Sequence, residues 1–239
     1  MKNKIIYLLL VGLLFSCGAS HLSTTGNSVY GNKDTIITQS LFADKNSNIS
    51  EDNIQKILSG KYLLPANLRI AIIKIENNTK KNNYYYYNNY HTVEVYLRNQ
   101  QTYIDLLTQH LKQTSRVERV SLIPDMLLSK PETFTTIREA AVRMQSDIVI
   151  IYSISSDIYT KFKFLSKDDI KAFATTQLIM LDVRTGLVPF TAISTKDFMS
   201  QKKTEDMDNT DTKNRIQHEA ILLTINEIGM KMVDFINKN

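Results

Sequence analysis

The sequence predicts an α/β sandwich, a mixed sheet with flanking helices, preceded by an export signal and a flexible tether. Three observations carry this. Helix-period and strand-period segments alternate through the first half of residues 49–239, which implies parallel strands joined by right-handed crossovers. Two long strand-like runs then meet at a Gly-containing turn, adding antiparallel strands. A long C-terminal segment repeats apolar residues at helical spacing, so one face of it must be buried.

Taken in order, Ser50 is the candidate N-cap of a short helix, Glu51 to Leu58, that Gly60 stops. Residues 68–75 are dense in branched apolar side chains and read as a strand. A polar Asn/Tyr loop fills residues 76–90, and residues 96–113 form a helix burying Tyr103, Leu107 and Leu111. Val117 to Ile123 is a strand closed by Pro124. Thr133 or Thr135 opens a helix through Gln145 that buries Ile137, Ala140, Ala141 and Met144.

The unbroken apolar run 147–152 suits a strand covered on both faces. Ile158 to Leu165 is weighed as an extra strand. Strands at Ala172 to Val183 and Leu187 to Asp197 are joined by Asp182-Val183-Arg184-Thr185-Gly186, where the Asp can close the turn and the Gly can take φ > 0. Pro189 puts the second of these near a sheet edge or at a bulge. Residues 198–212 are polar and read as a loop. A final helix, Asp211 to Asn237, repeats Ile221, Ile225, Ile228, Met232, Phe235 and Ile236 on one face. No internal repeat is evident, and residues 49–239 fit a single α/β domain.

The N-terminus adds a second kind of information. Lys2 and Lys4 precede an uncharged apolar run to Phe15, the layout of a secretory signal over residues 1–16. That run is shorter than the roughly 20 residues a spanning helix needs. Leu14-Phe15-Ser16-Cys17-Gly18 resembles the bacterial lipobox, which implies cleavage before Cys17 and acylation of it. The alternative is an ordinary signal with an incidental Cys. Cys17 is the single cysteine of the 239 residues, so no intramolecular disulfide is available. Residues 17–48 are rich in Ser, Thr, Asn and Gly and read as the lipidated Cys and its flexible tether. Loss of Lys2 and Lys4 leaves 27 Lys plus Arg against 24 Asp plus Glu, a net of +3. This mild excess, with no basic stripe interleaved with aromatics, argues against nucleic acid as a partner.

Four stretches together resemble a family of envelope lipoprotein domains. The family includes the curli-secretion lipoproteins, the outer-membrane activators of penicillin-binding proteins and the TolB amino-terminal domain. The stretches are residues 69–73, Leu106-Leu107 to Leu111 with 115–120, Ala140-Ala141 with 146–150, and 181–186, the last like the family's D-x-x-T-G hairpin. Tyr152-Ser153-Ile154 stands where the family often has Gly. Residues 157–171 and 198–212 are too short and charged for the membrane hairpins of its pore-forming members, since a spanning strand needs roughly 9 to 11 residues with an apolar outer face. The resemblance implies the fold and a periplasmic setting.

Chemistry-bearing motifs are sparse. His21, His91, His110 and His218 form no cluster of metal-ligand spacing, and no nucleophile elbow, phosphate loop or H-E-x-x-H motif occurs. No catalytic residue, metal or cofactor is therefore assigned. Asp168-Asp169 reads as a solvated turn, and Arg138 and Arg143 as solvated helix positions. Lys161-Phe162-Lys163-Phe164 reads as a half-buried strand rather than a membrane-touching one. Tyr84, Tyr85, Tyr86, Tyr87 and Tyr90 are either an exposed recognition loop or a low-complexity segment lining a sheet edge.

These readings converge on a non-enzymatic outer-membrane lipoprotein facing the periplasm. It would be held to the membrane through Cys17 and would engage a secretion or cell-envelope-synthesis machine. Its expected partners are an envelope protein complex or a glycan polymer. Two alternatives remain: a homo-oligomeric, ring-forming subunit of an export channel, and a periplasmic hydrolase of envelope polymers.

Overall fold

The structure is a computed structural model that describes residues 49–75, 90–129 and 132–239. The signal, the tether and the tyrosines at 84–87 lie outside the described residues.

Helix α1 (Glu51–Ser59) begins where the Ser50 hydroxyl accepts the Asn53 N–H, satisfying one orphan donor of the first turn. Strand β1 (Leu68–Lys74) and helix α2 (Tyr90–Leu111) follow, then β2 (Val117–Leu122) and a short 3₁₀ turn, Asp125–Leu127. Helix α3 (Phe134–Arg143) starts at Thr133, not Thr135. The Thr133 side chain takes the Thr136 N–H while Thr136 reaches back to the Thr133 N–H, a reciprocal cap. Three strands complete the sheet, β3 (Ile148–Lys161), β4 (Asp169–Asp182) and β5 (Phe190–Ser200), and helix α4 (Asn209–Lys238) closes the chain.

The five strands lie in the order β2-β1-β3-β4-β5. β1 pairs parallel with β2 and β3, whereas β3–β4 and β4–β5 are antiparallel. The mixed α/β sandwich read from the sequence is thus the fold. β1 matches only Ile148 to Tyr152 of β3, while β4 follows β3 along its whole length. At roughly 3.3 Å per residue β3 is about 46 Å long. Its second half therefore continues as a three-stranded ribbon with no β1 beside it.

Side-chain alternation divides the core. Ile70 and Ile72 of β1, Ile148 and Ile150 of β3 and Leu178 and Met180 of β4 face α2 and α4. Ala71, Ile73, Val149, Ile151 and Leu181 point the other way, onto Ile137, Ala140 and Ala141 of α3. Both faces are thus buried at this near end. Along the ribbon, Ile170, Ala172 and Ala174 still face α4, and no described element covers the opposite face. α4 spans about 45 Å at 1.5 Å per residue, long enough to underlie both ends. Its predicted apolar face is buried at Ile221, Ile225, Ile228, Met232 and Ile236, with Phe235 half-buried against Phe190.

Several boundaries move. α2 starts at Tyr90 rather than 96, because the aromatic and β-branched residues of its first turn have weak helix preference and hide the helix start. The strand at 147–152 and the first half of the extra strand at 158–165 merge into the single strand β3, which ends at Lys161, so residues 162–165 fall in the turn; its alternation begins only where α3 stops covering it. β4 starts at Asp169. Pro189 precedes β5 instead of sitting within it, and β5 is an edge strand, as its neighbouring proline suggested. β5 runs on to Ser200, so the loop before α4 is shorter than the polar composition of 198–212 implied. Met144 caps α3 and is only half-buried.

Candidate interaction surface

On the side of the ribbon away from α4, the odd-numbered residues of three strands make an open sheet face. Tyr159 and Phe173 meet edge to face with ring centroids 5.6 Å apart. The Lys171 ammonium lies 4.6 Å from the Phe173 centroid and 3.0 Å from an Asp197 carboxylate oxygen. Thr175 and Thr195 share a hydroxyl hydrogen bond of 2.9 Å across β4 and β5. Ile193 and Met199 are exposed beside them on the edge strand. The face is open, mixed apolar and polar, and held in place by cross-strand contacts. An open sheet face of this kind, bordered by an edge strand among the described residues, suits a protein or polymer partner better than a small molecule, which favours concave sites.

The other side of the ribbon is tied to α4 by polar contacts that keep this face rigid. Gln217 donates to the Ser156 hydroxyl at 2.5 Å. The Thr224 hydroxyl donates to the Ile221 carbonyl, so the buried Thr176 hydroxyl, 2.6 Å away, must donate to Thr224. Glu227 accepts from Lys196, Lys231 and Ser194. The two ammonium groups and the hydroxyl hold its carboxyl down at about 2.

At the end of the ribbon, residues 162–168 join β3 to β4. Phe162 is 82% exposed, Phe164 fully exposed and Leu165 92% exposed. The expectation of a half-buried strand at 161–164 is therefore wrong: β3 ends at Lys161 and the two phenylalanines project from the turn. Alternation of Lys and Phe imitated a strand where the chain in fact leaves the sheet. Asp168 accepts the Lys163 N–H at 3.0 Å, and Asp169 pairs with the Lys163 ammonium at 2.6 Å and with Gln201. The carboxylate pair thus shapes the turn, and Asp169 is held below the usual carboxylate range by Gln201 and Lys163. Behind the turn lies an open hollow of about 250 Å³ that Lys167, Lys202 and Lys213 line.

The near end of the sheet is built by groups the sequence only half revealed. Asp182 is buried, and its carboxylate accepts the Thr185 N–H and hydroxyl and the Tyr62 hydroxyl, while Gly186 takes φ 74°. Burial and the facing Asp182 raise the Tyr62 hydroxyl far above its ordinary value, so it stays protonated and donates. Arg138 is not solvated as expected; it donates to the carbonyls of Val183 and Arg184 and pins this turn to α3. Arg143 is exposed, as expected. Arg69 and Asp147 form a two-pronged pair, and Arg69 keeps the Asp147 carboxyl below its usual range. Arg116 donates to the carbonyls of Leu64, Pro65 and Ile236. None of these arginines stands in a motif, so sequence spacing could not assign their roles.

Of the site residues named from the sequence, Cys17, Tyr84, Tyr85, Tyr86 and Tyr87 lie outside the described residues, and Tyr90 supplies only the first backbone position of α2. His110 and His218 lie in the α2–α4 seam. His110 meets Asn226 at 3.0 Å, and His218 meets the Tyr103 hydroxyl at 3.0 Å, with burial lowering the His218 pKa and keeping it neutral. Among the described residues no group of three His, Cys, Asp or Glu side chains could hold a metal ion, and no helix is long and apolar enough to cross a membrane.

The fold and surface define an α/β sandwich with an open ribbon at one end. No protein-family model and no curated protein matches the chain. Among solved structures it is similar to the PelC dodecamer from Paraburkholderia phytofirmans, at 12% identity and a TM-score of 0.35, covering 69% of this chain and 86% of that one. It is also similar to the hypothetical protein CT253 from Chlamydia trachomatis, at 12% identity and a TM-score of 0.40, over 73% and 100% of the two chains. A third is lipoprotein GNA1162 from Neisseria meningitidis, at 9% identity and a TM-score of 0.30, over 72% and 99%. All three TM-scores lie below 0.5, so no functional argument passes from these proteins to this chain.

Proposed function

We propose that the chain is an outer-membrane lipoprotein, anchored through Cys17 and facing the periplasm. Its domain would act as a non-enzymatic interaction or assembly module for a secretion or envelope-synthesis machine. The family reading, with the curli-secretion lipoproteins, penicillin-binding-protein activators and TolB amino-terminal domain, belongs to the same proposal. The observation that supports it is the open face of β3, β4 and β5, where Tyr159, Phe173 and Ile193 are exposed beside the edge strand of the described sheet. A contiguous apolar patch framed by polar groups is a usual mark of a protein contact.

The test is crosslinking and affinity capture of the intact protein from envelopes. The wild-type chain is compared with Phe173→Ser/Ile193→Ser and with a variant in which Tyr84 to Tyr87 are all Ala. Capture of one envelope complex that is lost in the first variant places the contact on the sheet face, and loss in the second places it on the tyrosines. Self-crosslinked rings alone would replace this reading with a homo-oligomeric channel subunit. Turnover of an envelope polymer by the purified chain would overturn the non-enzymatic reading.

A further inference from the structure

The turn between β3 and β4 is the most apolar exposed point among the described residues. Two phenylalanines and a leucine project from it within four positions, each more than four-fifths exposed. Folding gains nothing from such side chains left in water, and polar residues would close the same turn. The charges interleaved with the apolar residues are positive. Lys161, Lys163 and Lys167 interleave with the apolar residues, and Asp168 is the first carboxylate after them. Asp168 and Asp169 are already committed to the Lys163 backbone, Lys163 and Gln201. Farther back, Arg215 neutralises Asp206, Asp208 caps α4 and Glu205 is exposed. The hollow behind the turn presents Lys167, Lys202 and Lys213 on one side.

We propose that this turn inserts into the headgroup region of an anionic lipid bilayer, a second membrane contact beyond the anchor at Cys17. Phe162, Phe164 and Leu165 would enter the interface between headgroups and acyl chains. Lys161 and Lys167 would stay at phosphate level, with the lysines of the hollow facing the same headgroups. Aromatic and apolar side chains ringed by lysines have the composition of interfacial anchors, and lysines can extend their charges to the headgroups while their stems stay apolar. A second protein is a poorer occupant. Two aromatic side chains and a leucine offer about 500 Å² at 150–250 Å² per aromatic. That is below the roughly 800 Å² per partner of a stable interface. A convex tip also makes a poor self-complementary surface, whereas a bilayer takes a tip of any outline.

The chain contains no tryptophan, so a single introduced one reports its own surroundings. The full-length protein is reconstituted in vesicles of phosphatidylcholine and phosphatidylglycerol, carrying either Phe164→Trp or Phe134→Trp. Phe134 is exposed on α3, which packs against Val149 and Ile151 at the other end of β3, so it controls for mere proximity to the vesicle. Circular dichroism verifies that both variants fold, and mass spectrometry reads acylation of Cys17 separately, so failure of the anchor and failure of the tip are distinct results. The tip tryptophan is expected to shift to the blue and to lose most of its intensity when the acyl chains are brominated, while the α3 tryptophan does neither. Replacing phosphatidylglycerol by phosphatidylcholine, or introducing Lys161→Gln/Lys167→Gln, is expected to reduce the quenching several-fold. Equal quenching at both positions, or at the tip with and without anionic lipid, would overturn the proposal. A blue shift that grows with protein concentration and is untouched by brominated lipid would also overturn it, in favour of a second copy.

Discussion

At the near end of the sheet, Ile70, Ile150 and Met180 meet α2 and α4 while Ala71, Val149 and Leu181 meet α3. At the far end the same β3 and β4 bury Ile170, Ala172 and Ala174 on α4 and leave Tyr159, Phe173 and Gln177 outward. One pair of strands thus passes from a two-sided core to a one-sided ribbon without a break in hydrogen bonding. Stability is concentrated where both faces are covered. The ribbon is kept in shape by a small number of polar ties to α4 and can spend its outer face on contact.

Substitutions at the two ends should therefore differ in kind. Ile150→Ala, at a fully buried near-end site, is expected to cost about 3 kcal/mol, read as a lower urea midpoint with an unchanged slope. Gly229→Ala comes next. Its new Cβ would run into the His110 ring in the α2–α4 seam, so a loss of about 2 kcal/mol is expected from overpacking. Adding His110→Ala should recover part of that loss; strictly additive losses would show that the ring is not the obstacle.

Acid should loosen the ribbon through Glu227. Its carboxyl titrates at about 2 in the folded chain, against 4.5 ordinarily, because Lys196 and Lys231 face it. A lowered folded value means the contribution is complete above pH 4.5 and is lost as pH falls toward 2. Hydrogen exchange of β5 amides should accelerate over that window, and Glu227→Gln should flatten the dependence. Arg215 likewise holds Asp206 well below the usual range at the ribbon end of α4, so Asp206→Asn should remove a further share. The smallest expected effect sharpens the contrast most: Ile193→Ser on the outer face should change stability by no more than about 0.5 kcal/mol. A Tm that falls as far as for Ile150→Ala would mean that something covers this face.

Much of the near end was legible because its signals are periodic. The apolar run at 147–152 announced a strand covered on both sides, and Asp182 with Gly186 announced the turn that the buried carboxylate closes. The ribbon was harder to read. Its outer face alternates as any half-buried strand does, and periodicity cannot tell a face that meets a helix from one that meets water. Lys161 to Phe164 was misjudged because its alternation looked like a strand, whereas β3 ends at Lys161 and the phenylalanines stand in the turn. Arg138 was misjudged for another reason: its partners are carbonyls of a turn 45 residues away, which leave no mark in local sequence. The candidate surface is assembled from three strands, and nothing in any one of them shows that their odd positions will stand side by side.

Among the described strands β3 joins the parallel to the antiparallel part of the sheet, with a parallel neighbour on one side and an antiparallel one on the other at the same residues, Ile148 to Tyr152. Its antiparallel partners follow it closely in the chain, whereas Ile70 of β1 is separated from its partner Ile148 by two helices and a strand. Loops of that length close late and at higher entropic cost. On the ribosome, β1, α2 and β2 emerge before the strand that will hold them, so the hairpins of β3, β4 and β5 should nucleate the molecule and recruit β1 afterwards. β1 and β2 would then leave the ribosome before β3 and yet dock after it, an order that pulsed hydrogen exchange during refolding tests.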